Sequence, residues 1–305
     1  MRLDPKFSLG SWAFSFGPFA LAPWSFDRFL QYAADAGYDG VEINGFRPHP
    51  HPDDYDTPAK CRKLRQVLDD WGLGISGYAP QFTDDPSNIT NREAYLATIA
   101  KSLRFCESVG IDVLRVDTVA APVAYDASTY ERRFDQLCGT WRRAADMCRD
   151  AGVKLVWEFE PGFWLNKPSE VLAVAEGVGH ASFGVLFDTS HAYMSAVVGA
   201  RQTGEREILQ GGVAAFGRML SGRIGHVHFI DSDGTLHNDE TSTHAPFGAG
   251  RIDFKEVILA LEPDLRPLTW WCFDFCFCPT TETDARKALP YMRTCLKQVA
   301  EAQEH

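Results

Sequence analysis

The feature that most constrains the fold is an alternation, repeated eight times, between a short β-rich run and an amphipathic stretch of helical length. The strand segments are Phe7 to Trp12, Gly40 to Asn44, Gly74 to Ala79, Val113 to Asp117, Lys154 to Phe159, Phe183 to Asp188, Gly225 to Ile230 and Leu268 to Phe273. Helical patterning fills 25–36, 57–71, 92–109, 128–151, 168–177, 205–221, 253–262 and 283–302. Such repetition is the signature of βα units on a parallel sheet. Four helix-to-strand junctions share one local pattern, with Gly37, Gly72, Gly110 and Gly152 each following an apolar helix end, where glycine supplies the left-handed cap. A doubly wound sheet would also want a glycine-rich phosphate loop after its first strand, and Leu9-Gly10-Ser11-Trp12 lacks the GxGxxG spacing. The pattern therefore predicts a single (β/α)8 TIM barrel over residues 1–305, undivided by any linker, low-complexity tract or charge block.

With 45% hydrophobic residues the chain can bury a full core, and its net charge of −11 would repel phosphate backbones and anionic lipid. Nucleic-acid and membrane-surface roles are thereby disfavoured, and a small-molecule partner is expected. No apolar run approaches the roughly 18 residues that span a bilayer, and Met1 to Phe7 shows no apolar segment or cleavage site. A cytoplasmic protein is expected. The eight cysteines show no disulfide-framework spacing and read as free thiols; Cys272, Cys276 and Cys278 lack the second cluster that would make CxxxCxC a metal motif.

In a barrel, chemistry gathers at the C-terminal ends of the strands. The last four strands each end in a potential ligand: Glu158, Asp188, His228 and Asp274. Alternation puts Val156 with Glu158, Leu186 with Asp188, His226 with His228 and Cys272 with Asp274 on one face, and turns Trp157, Phe187, Val227 and Phe273 toward the helices. Three carboxylates and an imidazole are thus aimed at one point. Carboxylates that converge without a cation raise one another's pKa, so the cluster calls for a divalent metal. An O3N set with open positions suits Mn²⁺ or Mg²⁺, with Co²⁺, Fe²⁺ or Zn²⁺ also compatible. Taken singly, Asp188 reads as a helix N-cap, Glu158 as half of a buried ion pair and His228 as a core histidine; their shared strand-end position favours a metal site.

These residues, together with Gly37-Tyr38-Asp39-Gly40-Val41-Glu42-Ile43, Phe187-Asp188-Thr189-Ser190-His191, His226-Val227-His228-Phe229-Ile230-Asp231 and the turn from Pro246 to Asp253, make the sequence resemble the xylose-isomerase-like barrels of sugar phosphate isomerases and epimerases. The resemblance covers nearly the whole chain. It implies one divalent ion on Glu158, Asp188, His228 and Asp274, Glu158 and Asp274 as the catalytic pair, and His191 as a contact to a substrate hydroxyl. One position departs from the family pattern: Asp274 stands where a glutamate is usual. Shortening this residue keeps a ligand but weakens two-face epimerisation relative to one-base isomerisation or elimination.

Around this centre, Glu160 is either a further substrate contact or acid/base or a solvated loop carboxylate, Arg115 either pairs with Asp117 or binds substrate, Trp12 and Phe163-Trp164 offer aromatic faces for stacking or simply cap the barrel, and His244, which precedes the family-like turn, is a candidate to reach the substrate. Glu42 and Asn44 are assigned to hydrogen bonds within the barrel mouth, and His49, His51, His237 and His244 to loops. The leading function is a metal-dependent sugar isomerase or epimerase that removes a proton next to a carbonyl of a ketose or polyol. Beside it stand a lyase or dehydratase acting on a keto-sugar, keto-inositol or 3-keto-glycoside, and a non-catalytic sugar-binding protein. The DNA-repair phosphodiesterase built on such a barrel needs further histidines where this chain has Glu42-Ile43-Asn44 and Tyr78-Ala79-Pro80-Gln81. The resemblance and the aromatic loops also imply a homo-oligomer. Elemental analysis of metal-reloaded protein is expected to find one divalent ion per chain; three would restore the nuclease reading, and none would remove the metal centre.

Overall fold

A computed structural model of the chain describes residues 3–304. Eight parallel strands close into a barrel: β1 (Lys6–Gly10), β2 (Gly40–Asn44), β3 (Gly74–Ala79), β4 (Val113–Val116), β5 (Lys154–Glu158), β6 (Phe183–Asp188), β7 (Ile224–Phe229) and β10 (Trp270–Phe273). Their order around the barrel is β1-β10-β7-β6-β5-β4-β3-β2. The helices are α1 (Phe26–Asp35), α2 (Pro58–Asp70), α3 (Arg92–Val109), α4 (Ala127–Asp150), α5 (Pro168–Val178), α6 (Thr189–Tyr193), α7 (Gly212–Met219), α8 (Phe254–Leu265) and α9 (Thr281–Gln303).

Local chemistry marks the helix ends. Ser25, Thr57, Asp126 and Asp253 cap α1, α2, α4 and α8 by accepting a backbone N–H three residues on. At the other ends, Gly37, Gly72, Gly110 and Gly152 all take positive φ, as the junction pattern predicts. Strand residues facing outward build the main core against the helices: Trp157 packs on Trp141 of α4 at 5.3 Å and Phe187 on Phe216 of α7 at 5.7 Å between ring centroids. The barrel interior is instead rich in polar groups, with Ser8, Glu42, Ser76, His226 and His228 all buried.

The structure corrects several expected boundaries. The first strand stops at Gly10, because the Ser15 and Phe16 N–H groups fold back onto the Trp12 carbonyl and make a 3₁₀ turn of Ser11–Phe14. The helix expected over 205–221 is confined to α7, since Leu209 N–H bonds to the Ala196 carbonyl and holds the preceding segment against the π-helical turn Met194–Val198. The last barrel strand begins at Trp270 because Leu268 is still bonded to the end of α8. His237 and His244 lie on strands, not in loops: β8 (Asp231–His237) and β9 (Thr241–Ala245) form an antiparallel hairpin. Its turn contains Asn238 and Asp239, both in the left-handed region.

Buried Asp231 anchors the segment that follows this hairpin. Its carboxylate accepts N–H bonds from Ser232 at 2.8 Å, Gly248 and Gly250 at 3.0 Å and Ile252 at 3.1 Å. A Cβ on Gly250 would lie 2.2 Å from the Asp231 carboxylate, which explains the glycine of the Pro-x-Gly-x-Gly turn. Gly250→Ala is expected to lower stability by roughly 1–3 kcal/mol, measured as a reduced denaturation midpoint at unchanged m-value; an unchanged midpoint would refute the crowding argument.

Candidate functional site

β5, β6, β7 and β10 deliver the four central side chains, because inward parity places one at or near the end of each strand. One donor atom from each of Glu158, Asp188, His228 and Asp274 lies within 4.8 Å of the others, and all four residues are buried. Asp188 and His228 are register partners, as are His228 and Cys272, so Asp274 sits one pleat above His228.

Each ligand candidate is held differently. Asp188 caps α6 through Oδ1, which accepts the His191 N–H at 2.8 Å, while its buried Oδ2 has no hydrogen-bond partner among the described residues. Burial pushes this carboxyl up to about 7, assisted by the Asp274 and Glu158 charges and only partly offset by His244. For Glu158, burial is outweighed by Arg115, whose Nε lies 2.5 Å from Oε2, and by His228, whose Nδ1 lies 2.9 Å from Oε1; the carboxyl falls to about 2. Asp274 is likewise held below the usual carboxylate range, burial being overcome by His244, His228 and the Cys276 N–H. Its Oδ1 accepts N–H bonds from Trp12 Nε1 and, at 2.7 Å, from Cys276.

Beneath these groups lies a relay that the sequence reading did not identify. His228 Nε2 is 3.1 Å from Glu42 Oε1, and Glu42 Oε2 is 2.7 Å from His226 Nε2. Burial would raise the Glu42 carboxyl, but the two imidazoles bring it well below its ordinary value. His228 moves up, since Glu42 and Glu158 outweigh its burial. The available signal was parity: Glu42, His226 and His228 all face the barrel interior.

A cavity of about 210 Å³ opens above the cluster. Glu158 and Asp274 reach it from the floor, and Trp12, Arg115, Glu160, His191 and His244 line it. Arg115 leans toward Glu158 and is 3.8 Å from Asp117, so the expected Arg115–Asp117 pair is the looser of its two contacts. Trp12 lies with its ring 5.1 Å from that of His228 and its N–H on Asp274, leaving less of it as a stacking face than a loop tryptophan would offer. Of the Phe163-Trp164 pair, Phe163 lines the cavity while Trp164 packs into the core against Tyr125 and Tyr130.

The hairpin supplies the rest of the wall. Thr241 Oγ1 donates to Glu160, whose carboxyl burial raises to about 7 against the opposing pull of Thr241 and Arg115. Ser242 Oγ lies 2.8 Å from His191 Nδ1, leaving Nε2 toward Glu160 at 4.0 Å; burial lowers His191 to about 3. His244 Nδ1 is 3.4 Å from Asp274 Oδ1, and the carboxylate lifts the imidazole to about 9 against its burial. Asn44 and His49 bond to one another at 3.0 Å, in keeping with a structural part in the mouth. All eight cysteines are free, and no helix among the described residues is long and apolar enough to cross a membrane.

Comparison with known proteins agrees with this architecture. An inosose dehydratase from Bacillus velezensis is 24% identical over 244 residues, which cover 74% of this chain and 73% of that protein. A D-tagatose 3-epimerase-like protein superposes with a TM-score of 0.73 at 20% identity, covering 97% of this chain and 99% of its own. The probable 3-DHS dehydratase involved in petrobactin synthesis in Bacillus anthracis gives a TM-score of 0.70 at 16% identity, over 94% of this chain and 98% of its own. At these identities the two solved structures establish a shared fold. The family model for xylose isomerase-like TIM barrels matches residues 30–295, and the chain, an eight-stranded closed barrel, belongs to that family.

Proposed function

We propose that the chain is a metal-dependent isomerase or epimerase that removes a proton from the carbon beside a carbonyl of a ketose or related polyol. The observation that carries this reading is the buried convergence of Glu158, Asp188, His228 and Asp274 on the floor of the cavity, with Asp188 Oδ2 left unpartnered. Three carboxylates and one imidazole fit a single hard or borderline divalent cation, Mn²⁺ or Mg²⁺ first, with Co²⁺, Fe²⁺ or Zn²⁺ compatible. When bound on these four side chains, such an ion would supply Lewis-acid polarisation and charge compensation at a carbonyl whose neighbouring carbon loses a proton.

The remaining steps belong to the chain. Glu158, kept ionised beside Arg115, is the base that takes the proton. His191, Glu160, Arg115 and His244 surround the position of the substrate hydroxyls and orient them, while Trp12 holds Asp274 in place. Asp274 is the candidate for returning a proton on the opposite face. Its Oδ1 already receives the Trp12 and Cys276 N–H groups, however, and this favours one-base chemistry. The same first step followed by loss of a β-leaving group gives a second reading, a dehydratase acting on a keto-sugar, keto-inositol or 3-keto-glycoside. The inosose dehydratase relative is consistent with it.

Deuterium exchange followed by NMR across ketoses, keto-inositols and 3-keto-glycosides tests the shared step. Glu158→Gln is expected to abolish exchange while retaining partial metal binding, because the amide oxygen coordinates but accepts no proton. Asp274→Asn is expected to retain exchange at saturating metal, at least about 10²-fold above Glu158→Gln; equal losses would make Asp274 a true second acid/base. Exchange on no substrate by metal-loaded wild type would leave a sugar-binding protein.

The Glu42 relay adds a measurement independent of turnover. A metal-ligating histidine is oriented by the acceptor on its other nitrogen. Glu42→Gln is therefore expected to weaken Mn²⁺ binding by about 10- to 100-fold in calorimetry, with an unchanged circular dichroism spectrum. Wild-type affinity in this variant would show that the relay does not support His228 as a ligand.

A further inference from the structure

Above its polar floor the cavity changes character. Its upper wall is made by four phenylalanines from four different βα connections: Phe16 after β1, Phe46 after β2, Phe163 after β5 and Phe277 after β10. All four are only half-buried, and Phe46, Phe163 and Phe277 belong to neither of the barrel's apolar clusters. Folding the core therefore gives no reason for three large rings at this place. Phe16 meets Phe46 edge-on at 5.2 Å and Phe277 at 6.4 Å, forming one continuous aromatic wall. β5 stands opposite β1 in the barrel order, so Phe163 faces that wall across the mouth, and it makes no ring contact among the described residues.

The wall is also built at a conformational cost. Phe277 has φ of +62°, in the left-handed region that favours glycine and disfavours bulky residues. Two neighbours support it there. A Cβ on Gly17 would come within 2.9 Å of the Phe277 Cα, so glycine lets the first loop close against it, and the His237 ring from the hairpin stacks on Phe277 at 4.3 Å. A bulky residue held in this way presents its ring to the cavity, not to the core.

The charge of the lining restricts the ligand further. Asp117, Glu158, Glu160 and Asp274 line the cavity, and Arg115 is the single lysine or arginine doing so among the described residues. Arg115 already pairs with Glu158 and Asp117. The other cationic side chain of the lining, the His244 imidazole, already faces Asp274 at 3.4 Å, so among the described residues the lining offers no Lys or Arg free to make the bidentate contacts that usually receive a phosphate.

Resting on the carbonyl-polyol reading of the floor, we propose that the four phenylalanines form an aryl-binding subsite, and that the substrate is a neutral, unphosphorylated carbonyl-polyol carrying an aromatic substituent. The polyol end reaches Glu158, His191 and His244, and the aromatic ring lies between Phe163 and the wall of Phe16, Phe46 and Phe277. Aromatic rings in such a slot gain stacking and edge contacts beyond simple burial.

The phenyl and methyl glycosides of 3-keto-glucose are matched probes that differ only at the group the subsite would hold. By calorimetry on the Mn²⁺-loaded protein, the phenyl compound is expected to bind about tenfold or more tightly than the methyl compound. Phe163→Ala and Phe277→Gly, the second of which also relieves the left-handed backbone, should each reduce that ratio toward one, the loss falling more heavily on the phenyl compound than on the methyl compound. Fructose 6-phosphate should bind no more tightly than fructose. Equal phenyl and methyl affinities, binding of neither glycoside, a ratio insensitive to both substitutions, or a preference for the phosphate would overturn the subsite. Exchange chemistry is read separately: phenyl preference without deuterium exchange removes the Glu158 reading and keeps the subsite, and exchange without phenyl preference does the reverse.

Discussion

The interior of this barrel is organised around one imidazole wedged between two carboxylates. His228 contacts Glu158 through Nδ1 and Glu42 through Nε2, and Glu42 is held in turn by His226. An unpaired charge at such depth would be costly, and a half-satisfied network more so. Each member is therefore tied to the next, from a layer below the mouth up to the cavity floor. The chain of contacts fixes the orientation of the one nitrogen donor in the proposed metal set, and it explains why the barrel interior carries polar side chains where aliphatic layers would fill a purely structural barrel. At its upper end the network is incomplete: Asp188 Oδ2 remains buried and unpartnered, and its carboxyl is driven toward the neutral form.

The loops finish what the strands begin. The β8–β9 hairpin brings Thr241, Ser242 and His244 over the strand ends, where they engage Glu160, His191 and Asp274 respectively. Asp231, at the base of the hairpin, binds four backbone N–H groups and thereby fixes both the hairpin and the glycine turn after it. A single buried carboxylate thus governs the position of a substantial part of the cavity wall, although it does not line the cavity itself.

The legible and illegible parts of the sequence divide along a physical line. Period-two alternation on each strand identified Glu158, Asp188, His228 and Asp274 as sharing one face, because inward parity inside a closed barrel leaves little freedom. The junction glycines were legible for the same reason, each meeting a local backbone demand. The hairpin escaped detection because its two strands are short and follow β7 closely, although Asn238-Asp239 and the alternating Thr241-Ser242-Thr243-His244 carried a turn and strand signal. The Glu42–His228 contact was beyond local reading, since β2 and β7 are separated by β1 and β10 in the closed barrel and their inward side chains meet only through its interior, a relation set by closure. Trp12 was assigned to the first strand for a different reason: a one-turn 3₁₀ segment has no periodicity to detect, and its ring, while lining the cavity, also packs on His228 and bonds Asp274.

Asp274, where the resemblance read from the sequence leads one to expect a glutamate, acquires a structural reason from its neighbours. Asp274 Oδ1 accepts the N–H of Cys276, two residues on, which is an Asx-turn; a side chain one methylene longer closes that ring poorly. The turn bends the chain immediately after β10 and carries it into Phe277, whose positive φ is then sustained by Gly17 and His237. Asp274 therefore couples two regions that sequence treats as separate, the polar floor where its carboxylate approaches His228 and the apolar rim where Phe277 stands. A glutamate at this position would reach further into the floor but would release the loop that supports the rim. On the one-base reading proposed above, the short side chain is a requirement of the loop and not a weakened copy of an acid/base pair.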